Sequence, residues 1–257
     1  MQKTSELYKE LIQKPNSRFE TKLLIGDEVY LISHNADKII FGNDRIFYTA
    51  DTGGFGDNMI ISIDTSRKLF AEGRPQVGCC VAGEIDVEML QPAAIIPRMS
   101  SLKPFVRVTD GEQYSEWIPK GVYYIDTRDE NNASNRLSLH GYDAILKSEQ
   151  EYPAGDVGLW PKKDIDVVRE IAALMEVELD ERTVSTMNRE YIVQLPLGYN
   201  CREILGYTAA MYGGCFIMSD EGKLLLVRIN EIGLETNYLI DSSGYALVFG
   251  GDRLIVG

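Results

Sequence analysis

Apolar and polar residues alternate with the two-residue period of β-strands over most of the first half of the chain. The predicted strands are residues 22–25, 29–33, 38–41, 59–63, 77–82, 85–88, 95–98, 105–109, 122–126 and 136–140. Glycine, asparagine and aspartate separate these runs, as turns require. The pattern predicts a β-rich first barrel or compact sandwich over residues 20–150, closed by a brief helix at 142–148. A short helix at 5–13 precedes it, within an N-terminal segment 1–19.

The pattern changes to helical spacing after a Pro- and Gly-containing linker at residues 152–156. Residues 165–177 are predicted to form a helix, and 188–195 a strand. Residues 200–227 form a complete helix–hairpin unit. Asn200 and Glu203 have capping-box spacing, and Gly213 with Gly214 ends the helix. Strands follow at 215–218 and 224–227, so residues 151–229 are predicted to be a small α/β domain.

The last residues, 230–257, show strand-like runs at 238–240, 246–249 and 254–256. They are typical of the beginning of another β domain more than of a finished one. The predicted fold class is therefore α+β and mainly β: a β-barrel domain, a small α/β module and the start of another barrel.

The charge and the apolar content of the chain disfavour two classes of function, nucleic-acid recognition and membrane association. The 39 acidic residues exceed the 26 basic residues, which gives a formal net charge of -13. Such a surface repels phosphate backbones and disfavours sequence-specific nucleic-acid binding. Apolar runs stay well below the roughly 18 residues that a membrane span needs, so we expect no membrane partner.

Metal and cofactor chemistry are not predicted. The four cysteines include adjacent Cys79 and Cys80 but no CxxC spacing, and the two histidines, His34 and His140, are far apart in sequence. The glycine-rich residues 52–56 match neither GxGxxG nor a P-loop, and they are predicted to be a loop. Buried free thiols and no cofactor are the expectation.

Catalytic residue types occur without a catalytic arrangement. Residues 140–143 are His-Gly-Tyr-Asp, at a predicted strand-to-helix junction where Asp143 can cap the helix. The pair Asp86 and Glu88 has the two carboxylates of a glycosidase, and Trp117 or Trp160 could stack on sugars. A nucleophile with its base is not identifiable, so no catalytic residue is predicted, and Trp117 is expected to be buried in the barrel.

Several longer motifs carry a family resemblance. They are Ile-Ile-Pro-Arg-Met at 95–99, Pro-Phe-Val-Arg-Val at 104–108, residues 115–128 around Trp117 and Gly121, Leu-His-Gly-Tyr-Asp-Ala at 139–144, and 204–214 with 220–224. The chain resembles phage tail proteins of the baseplate hub and tail-tip hub family over about residues 20–229. The motifs concern packing and turns, and the resemblance implies structural roles for Trp117, Gly121, Gly141, Tyr142, Gly213 and Gly214.

The resemblance implies a structural protein rather than an enzyme. Members of this family are similar to hubs that form homotrimeric rings of tandem β-barrels and continue the tail tube. The implied partners are copies of the same chain, the tail tube or distal tail protein, and a spike, fibre or tape-measure protein. DNA is then only passing cargo, and the protein belongs to the virion tail after synthesis in the bacterial cytoplasm.

Two other classes stay open at the level of sequence. One is a phage-derived cell-wall or polysaccharide hydrolase, which needs little more than two carboxylates. The other is a carbohydrate-binding module for host recognition, with tryptophan as the stacking residue.

Overall fold

The computed structural model describes residues 4–26, 29–30, 40–41, 44–45, 47–48, 55–56, 58–71, 74–92, 96–97, 99–153, 155, 157–229, 248–249 and 252–253. Its α-helices are α1 (Glu6–Ile12), α2 (Asp164–Leu174), α3 (Glu181–Thr186) and α4 (Cys201–Met211). The 3₁₀ helices are Ala144–Glu149 and Val157–Leu159. The strands are β1 (Arg18–Ile25), β2 (Val29–Tyr30), β3 (Ile40–Phe41), β4 (Asp44–Arg45), β5 (Phe47–Tyr48), β6 (Phe55–Gly56), β7 (Ile60–Ser66), β8 (Glu84–Leu90), β9 (Ser101–Thr109), β10 (Ile118–Pro119), β11 (Tyr123–Asn131), β12 (Arg136–Asp143), β13 (Lys162–Lys163), β14 (Ile192–Val193), β15 (Gly214–Met218), β16 (Leu224–Arg228), β17 (Val248–Phe249) and β18 (Asp252–Arg253).

One antiparallel sheet dominates the fold, with the strand order β6-β1-β9-β11-β12-β8-β7 and β10 paired to β9. Its two outer strands are consecutive in sequence, because only three residues separate Gly56 from Ile60. At 3.8 Å per step these Cα atoms are at most about 15 Å apart, so the sheet curls. Within the described ranges no ladder joins β6 to β7. The region predicted to be a barrel or compact sandwich is therefore an open, curled sheet in the described residues, where β6 pairs with β1.

The concave side of this sheet contains the first apolar core. On β8, Ile85, Val87 and Met89 are buried, whereas the alternate positions Asp86 and Glu88 point outward. This period of two is the reason that sequence patterning located the strand. The other buried members of the cluster are Leu23, Ile96, Leu102, Tyr123, Ile125, Leu137 and Leu139.

The α/β module is built around α4 and the β15–β16 hairpin. Asn200 accepts the N–H of Glu203 at 2.8 Å, and the Glu203 carboxylate accepts the N–H of Asn200 at 2.9 Å. This capping box satisfies the backbone N–H groups of Asn200 and Glu203 at the start of α4. The predicted helix start is therefore confirmed. Buried Ile204 and Leu205 then face Phe216 and the helix α2 in a second core.

Several predicted elements differ from the structure. Residues 77–82 contain no strand and make one isolated bridge, Cys80 to Phe216, because their partner is the distant hairpin. Of the strand predicted at 95–98, Ile96 and Pro97 are described and are not in a strand, and residues 95 and 98 lie outside the described residues. The helix at 142–148 begins only at Ala144 and is 3₁₀. The strand at 188–195 shrinks to Ile192–Val193.

Other predictions fall largely outside the described residues. These are residues 31–33 and 38–39 of the predicted strands, residues 52–54 of the loop predicted at 52–56, and the second barrel apart from β17 and β18. Phe55 and Gly56 of that loop form β6, which corrects the prediction there. In the part of the chain that the structure describes, no helix combines the length and apolar character needed to cross a bilayer.

Candidate functional site at the seam between the sheet and the α/β module

Residues 76–82, which we call the seam segment, join the large sheet to the α/β module. They belong to the connection from β7 to β8, yet they pair with β15. The Gly78 N–H donates to the Gly214 carbonyl oxygen at 2.8 Å, and the Phe216 N–H donates to the Cys79 carbonyl oxygen at 3.0 Å. The bridge from Cys80 to Phe216 is parallel. The seam segment therefore lies along the free edge of the hairpin, held by these hydrogen bonds and one isolated bridge.

Helix α4 covers the other side of the seam segment. A β-carbon built on Gly206 would lie 2.8 Å from the Gly78 carbonyl oxygen, and one built on Gly78 would lie 2.9 Å from the Gly206 carbonyl oxygen. The Arg202 Nε atom also donates to the Cys80 carbonyl oxygen at 2.6 Å. Helix and segment thus touch backbone to backbone, which two facing glycines permit.

Arg67, just beyond the end of β7, forms a second contact between the two parts. Its guanidinium donates to Asp220 Oδ1 at 2.5 Å, to the Lys120 carbonyl oxygen at 2.5 Å, and to the Tyr123 hydroxyl at 3.2 Å. Burial opposes the charge, but Tyr123 and Asp220 outweigh it and the pKa of Arg67 is raised. Asp220 lies in the turn of the hairpin, so one partly buried cation connects the sheet to that turn.

Asp143 fixes the end of the seam segment. Its side chain is 3% exposed and accepts the N–H of Gly83 at 2.8 Å and that of Ile145 at 3.0 Å. The predicted capping role is therefore confirmed. Burial raises the pKa of Asp143 to about 6, although the two N–H groups and the cations Arg67 and Arg202 favour the charged form. Because burial accounts for the raised pKa of Asp143, this pKa does not indicate a catalytic role.

An open groove of about 570 Å³ runs between the seam segment and α4. Its lining includes Val77, Cys79, Arg202, Glu203 and Tyr207. The charged side chains are already engaged: Arg202 bonds the Cys80 carbonyl and the Glu149 carboxylate, and Glu203 completes the capping box. The groove therefore combines apolar surface and a thiol with charges that serve the fold.

Trp117 occupies a different environment from the predicted one. It is only partly buried, which corrects the expectation of a core tryptophan. The Lys22 Nζ atom lies 4.7 Å and the Arg107 Cζ atom 4.4 Å from the ring centroid. Both cations come from the paired strands β1 and β9, which place them at the indole surface.

The glycines singled out by sequence occupy positions where a β-carbon would meet neighbouring atoms or where the backbone φ is positive. A β-carbon on Gly141 would lie 2.5 Å from the Tyr124 carbonyl oxygen, next to the β-bulge of β11. Gly121 has φ +121° and would place a β-carbon 2.6 Å from Arg67 Nη2. Gly213 has φ +66° after the last turn of α4, whereas Gly214 is buried at the start of β15.

The residue types that could have carried catalysis are engaged in pairs on the outer face of the sheet. His140 Nδ1 lies 2.8 Å from Asp86 Oδ1, and the Tyr142 ring stands at 90° to the imidazole with centroids 4.9 Å apart. Glu88 accepts from Arg136 at 2.5 Å. Asp86 and Glu88 therefore each have a cross-strand partner, an arrangement that stabilises pairing between β8 and β12.

The second tryptophan and the thiols are also placed by packing. The Trp160 ring packs edge-on against Tyr152 at 6.1 Å, and Lys162 Nζ lies 4.8 Å from its centroid. All four cysteines are buried and unbridged. Among the described residues, no group of three or more His, Cys, Asp or Glu side chains is arranged to hold a metal ion.

Comparison with known proteins gives structural neighbours alone. No protein-family model matches the chain. No curated protein matches it either. The 43 kDa tail protein of prophage MuSo2 from Shewanella oneidensis is 14% identical, with a TM-score of 0.46 over 86% of this chain and 59% of that one. The tail protein from Neisseria meningitidis MC58 is 12% identical, with a TM-score of 0.43 over 89% of this chain and 53% of that one.

Prophage tail protein gp18 from Listeria monocytogenes EGD-e is 11% identical, with a TM-score of 0.43 over 86% of this chain and 55% of that one. The structural neighbours are thus phage and prophage tail proteins. The chain spans between 53% and 59% of the length of these three proteins.

Proposed function

We propose that this chain is a structural protein of a phage or prophage tail and that it forms the hub ring of the baseplate or tail tip. The observation that carries the proposal is the use made of the motif residues. Gly141, Gly206 and Gly214 each bring two backbones into contact, and the Asp220 turn is held by Arg67. Gly141 and Gly214 make these contacts within the sheet and within the hairpin, whereas Gly206 and Asp220 join the helix–hairpin module to Gly78 and Arg67 of the sheet side, which is a scaffold's task.

The finer proposal concerns assembly. Three copies of the chain form a ring that continues the tail tube, with the tube or distal tail protein on one side. A spike, fibre or tape-measure protein binds on the other side. The resemblance of residues 95–144 and 204–224 to the hub family supports this arrangement. The protein carries no activity of its own in this proposal and requires no cofactor.

The charge of the chain fits a channel for DNA. We assign acidic residues to the lumen because the net charge is -13 and the outward positions of β7 and β8 include Asp64, Glu84, Asp86 and Glu88. An acidic wall repels the phosphate backbone within about the 8–10 Å Debye length at physiological salt. A basic wall would instead bind the passing genome, because each phosphate contact releases counterions.

The decisive experiment is removal of the protein from a particle that contains it. An early stop codon in the gene should give particles without finished tails in negative-stain electron microscopy, and the wild-type gene in trans should restore them. Immunogold labelling of a tagged chain should mark the distal end of the tail. Normal, infectious tails without the protein would overturn the structural role.

Copy number and charge are tested on the assembled tail. Quantitative mass spectrometry and a reconstruction should give three copies per tail with acidic side chains toward the channel. A different copy number would contradict the ring, and a lumen lined by Lys and Arg would contradict the charge assignment. Hydrolysis of peptidoglycan or capsule, or binding on a glycan array, would favour the hydrolase or the carbohydrate-binding module instead.

A further inference from the structure

Two thiols lie opposite each other across the seam. Cys80 pairs in parallel with Phe216, so the preceding residues Cys79 and Cys215 are also in register. Side chains at one register position of a parallel pair point to the same face. The hydrogen bonds from Gly78 to Gly214 and from Phe216 to Cys79 enclose this position. Burial raises the pKa of the Cys215 thiol, and Cys79 lies near enough to raise it further.

The spacing of paired strands suits a disulfide bond. Neighbouring strands lie about 4.8 Å apart, and disulfides join Cα atoms separated by roughly 4.4–6.8 Å. The other two cysteines differ in position. Cys80 is next along the seam segment, where side chains alternate between faces, and Cys201 begins α4. The register therefore brings Cys79 and Cys215 together as one pair.

We infer that Cys79 and Cys215 form an intramolecular disulfide when the protein meets a small-molecule disulfide oxidant, and that this bond ties the large sheet to the α/β module. Cys79 is the entry point, because it is 7% exposed and lines the groove beside α4, whereas Cys215 is 0% exposed. The Cys215 Sγ atom donates to the Gln76 carbonyl oxygen at 3.2 Å, which holds it within the seam.

The reaction is a two-step thiol–disulfide exchange. The Cys79 thiolate attacks one sulfur of the oxidant, the S–S bond of the oxidant breaks, and the first small thiol leaves with a proton from solvent. The Cys215 thiolate, after losing its proton to water, attacks the Cys79 sulfur and expels the second small thiol. Two protein thiols lose two electrons, and one oxidant molecule becomes two thiols.

The groove and the burial of the pair set the rate. The oxidant reaches Cys79 through the open groove beside α4, which Cys79 lines. Burial raises the pKa of Cys215, so the second step accelerates as the pH rises. A mixed disulfide on Cys79 is the expected intermediate.

The test uses the full chain, purified in reductant, desalted and incubated with oxidised glutathione at pH 8. Remaining thiols are alkylated, and the chain is digested with trypsin without reduction. We expect peptides 69–98 and 203–223 to be joined and peptide 190–202, which contains Cys201, to be alkylated. Cys80→Ser and Cys201→Ser should keep the link, whereas Cys79→Ser and Cys215→Ser should lose it.

The thermal midpoint gives a second measurement. In the oxidised wild type it should rise and return on addition of dithiothreitol, because a long loop is closed in the unfolded chain. Cys80→Ser keeps this test valid if a Cys79 variant folds poorly. A link that persists in Cys79→Ser, a bond between Cys79 and Cys80 within one peptide, or full alkylation of all four thiols after oxidation would overturn the inference.

Discussion

Gly214 and Val227 approach each other across the β15–β16 hairpin more closely than any side chain allows. A β-carbon on Gly214 would lie 2.4 Å from the Val227 carbonyl oxygen and 3.0 Å from its carbonyl carbon. The neighbouring Gly213 has open space around a β-carbon but φ +66°. The two adjacent glycines are therefore required for different reasons, one for distance and one for backbone conformation.

This difference predicts unequal costs for the same substitution. Gly213→Ala should lower the free energy of unfolding by about 1 kcal/mol, the cost of a left-handed residue with a β-carbon. Gly214→Ala should cost about 3 kcal/mol, since the obstructing atoms are backbone. Urea denaturation measures both, with Gly213→Asn as the control, because asparagine tolerates left-handed φ. Equal losses for the two alanine variants would contradict the assignment.

Gly206 in α4 tests the contact with the seam segment. Alanine normally stabilises a helix interior by about 1 kcal/mol over glycine, but here its β-carbon meets the Gly78 carbonyl oxygen at 2.8 Å. We expect Gly206→Ala to destabilise the protein by about 1–2 kcal/mol net, because overpacking exceeds the propensity gain. Ala173→Gly, at an exposed site in α2, measures the propensity term in the same protein. If Gly206→Ala were more stable than the wild type, the Gly78 backbone would shift at little energetic cost to make room for the β-carbon.

The cations Lys22 and Arg107 should have a measurable interaction energy with the Trp117 ring. Trp117→Ala should cost less than the roughly 3–5 kcal/mol of a fully buried tryptophan, because the side chain is partly exposed. A double-mutant cycle of Lys22→Met with Trp117→Leu should give a coupling of about 0.5–1 kcal/mol. Lys22→Arg, which keeps the charge, is the control and should retain most of the coupling. Strict additivity in the cycle would exclude a cation–π interaction.

Asp143 predicts a pH dependence of stability. Burial raises its pKa from 3.8 to about 6 in the folded protein, so the folded state binds the proton more tightly than the unfolded state. The associated stability is complete below pH 3.8 and is lost as the pH rises through about 6. Compared with Asp143→Asn, the wild type should lose up to about 3 kcal/mol between pH 4 and pH 7, at 1.36 kcal/mol per pKa unit.

Asp180 provides the opposite case for the same measurement. The hydrogen bond from Arg182 lowers the pKa of Asp180, so its contribution is present above the unfolded pKa and is lost as the pH falls. The stability difference between wild type and Asp180→Asn should therefore grow as the pH is raised from acid. If both aspartate variants changed in the same direction, the assignment for Asp143 would be wrong.

Local elements could be predicted from sequence because their signals are local. The capping box of α4 needs residues three positions apart, and the β15–β16 hairpin needs only its own turn. The alternation in β8 reports burial of one face wherever the strand pairs. The general class, α+β and mainly β, followed from such signals.

Long-range contacts could not be predicted in the same way. Arg67 and Asp220 are 153 positions apart, and the register that places Cys79 beside Cys215 depends on the fold of both parts. The context of Trp117, after Ser115-Glu116 and before Ile118-Pro119, predicts a core residue, but the side chain is only partly buried. Its actual neighbours, Lys22 and Arg107, follow from the pairing of β1 with β9, and a single sequence does not reveal strand partners.

The seam segment determines which residues must be transferred together if the α/β module is to fold in another protein. A graft of residues 151–229 into another scaffold would leave β15 with an open edge and would omit Cys80, Ala144 and Ile145 from the module's core. Such a graft exposes unpaired backbone and apolar surface, and it favours aggregation. Recombination between related chains therefore preserves folding when it carries the seam segment together with the hairpin, although the two are far apart in the gene.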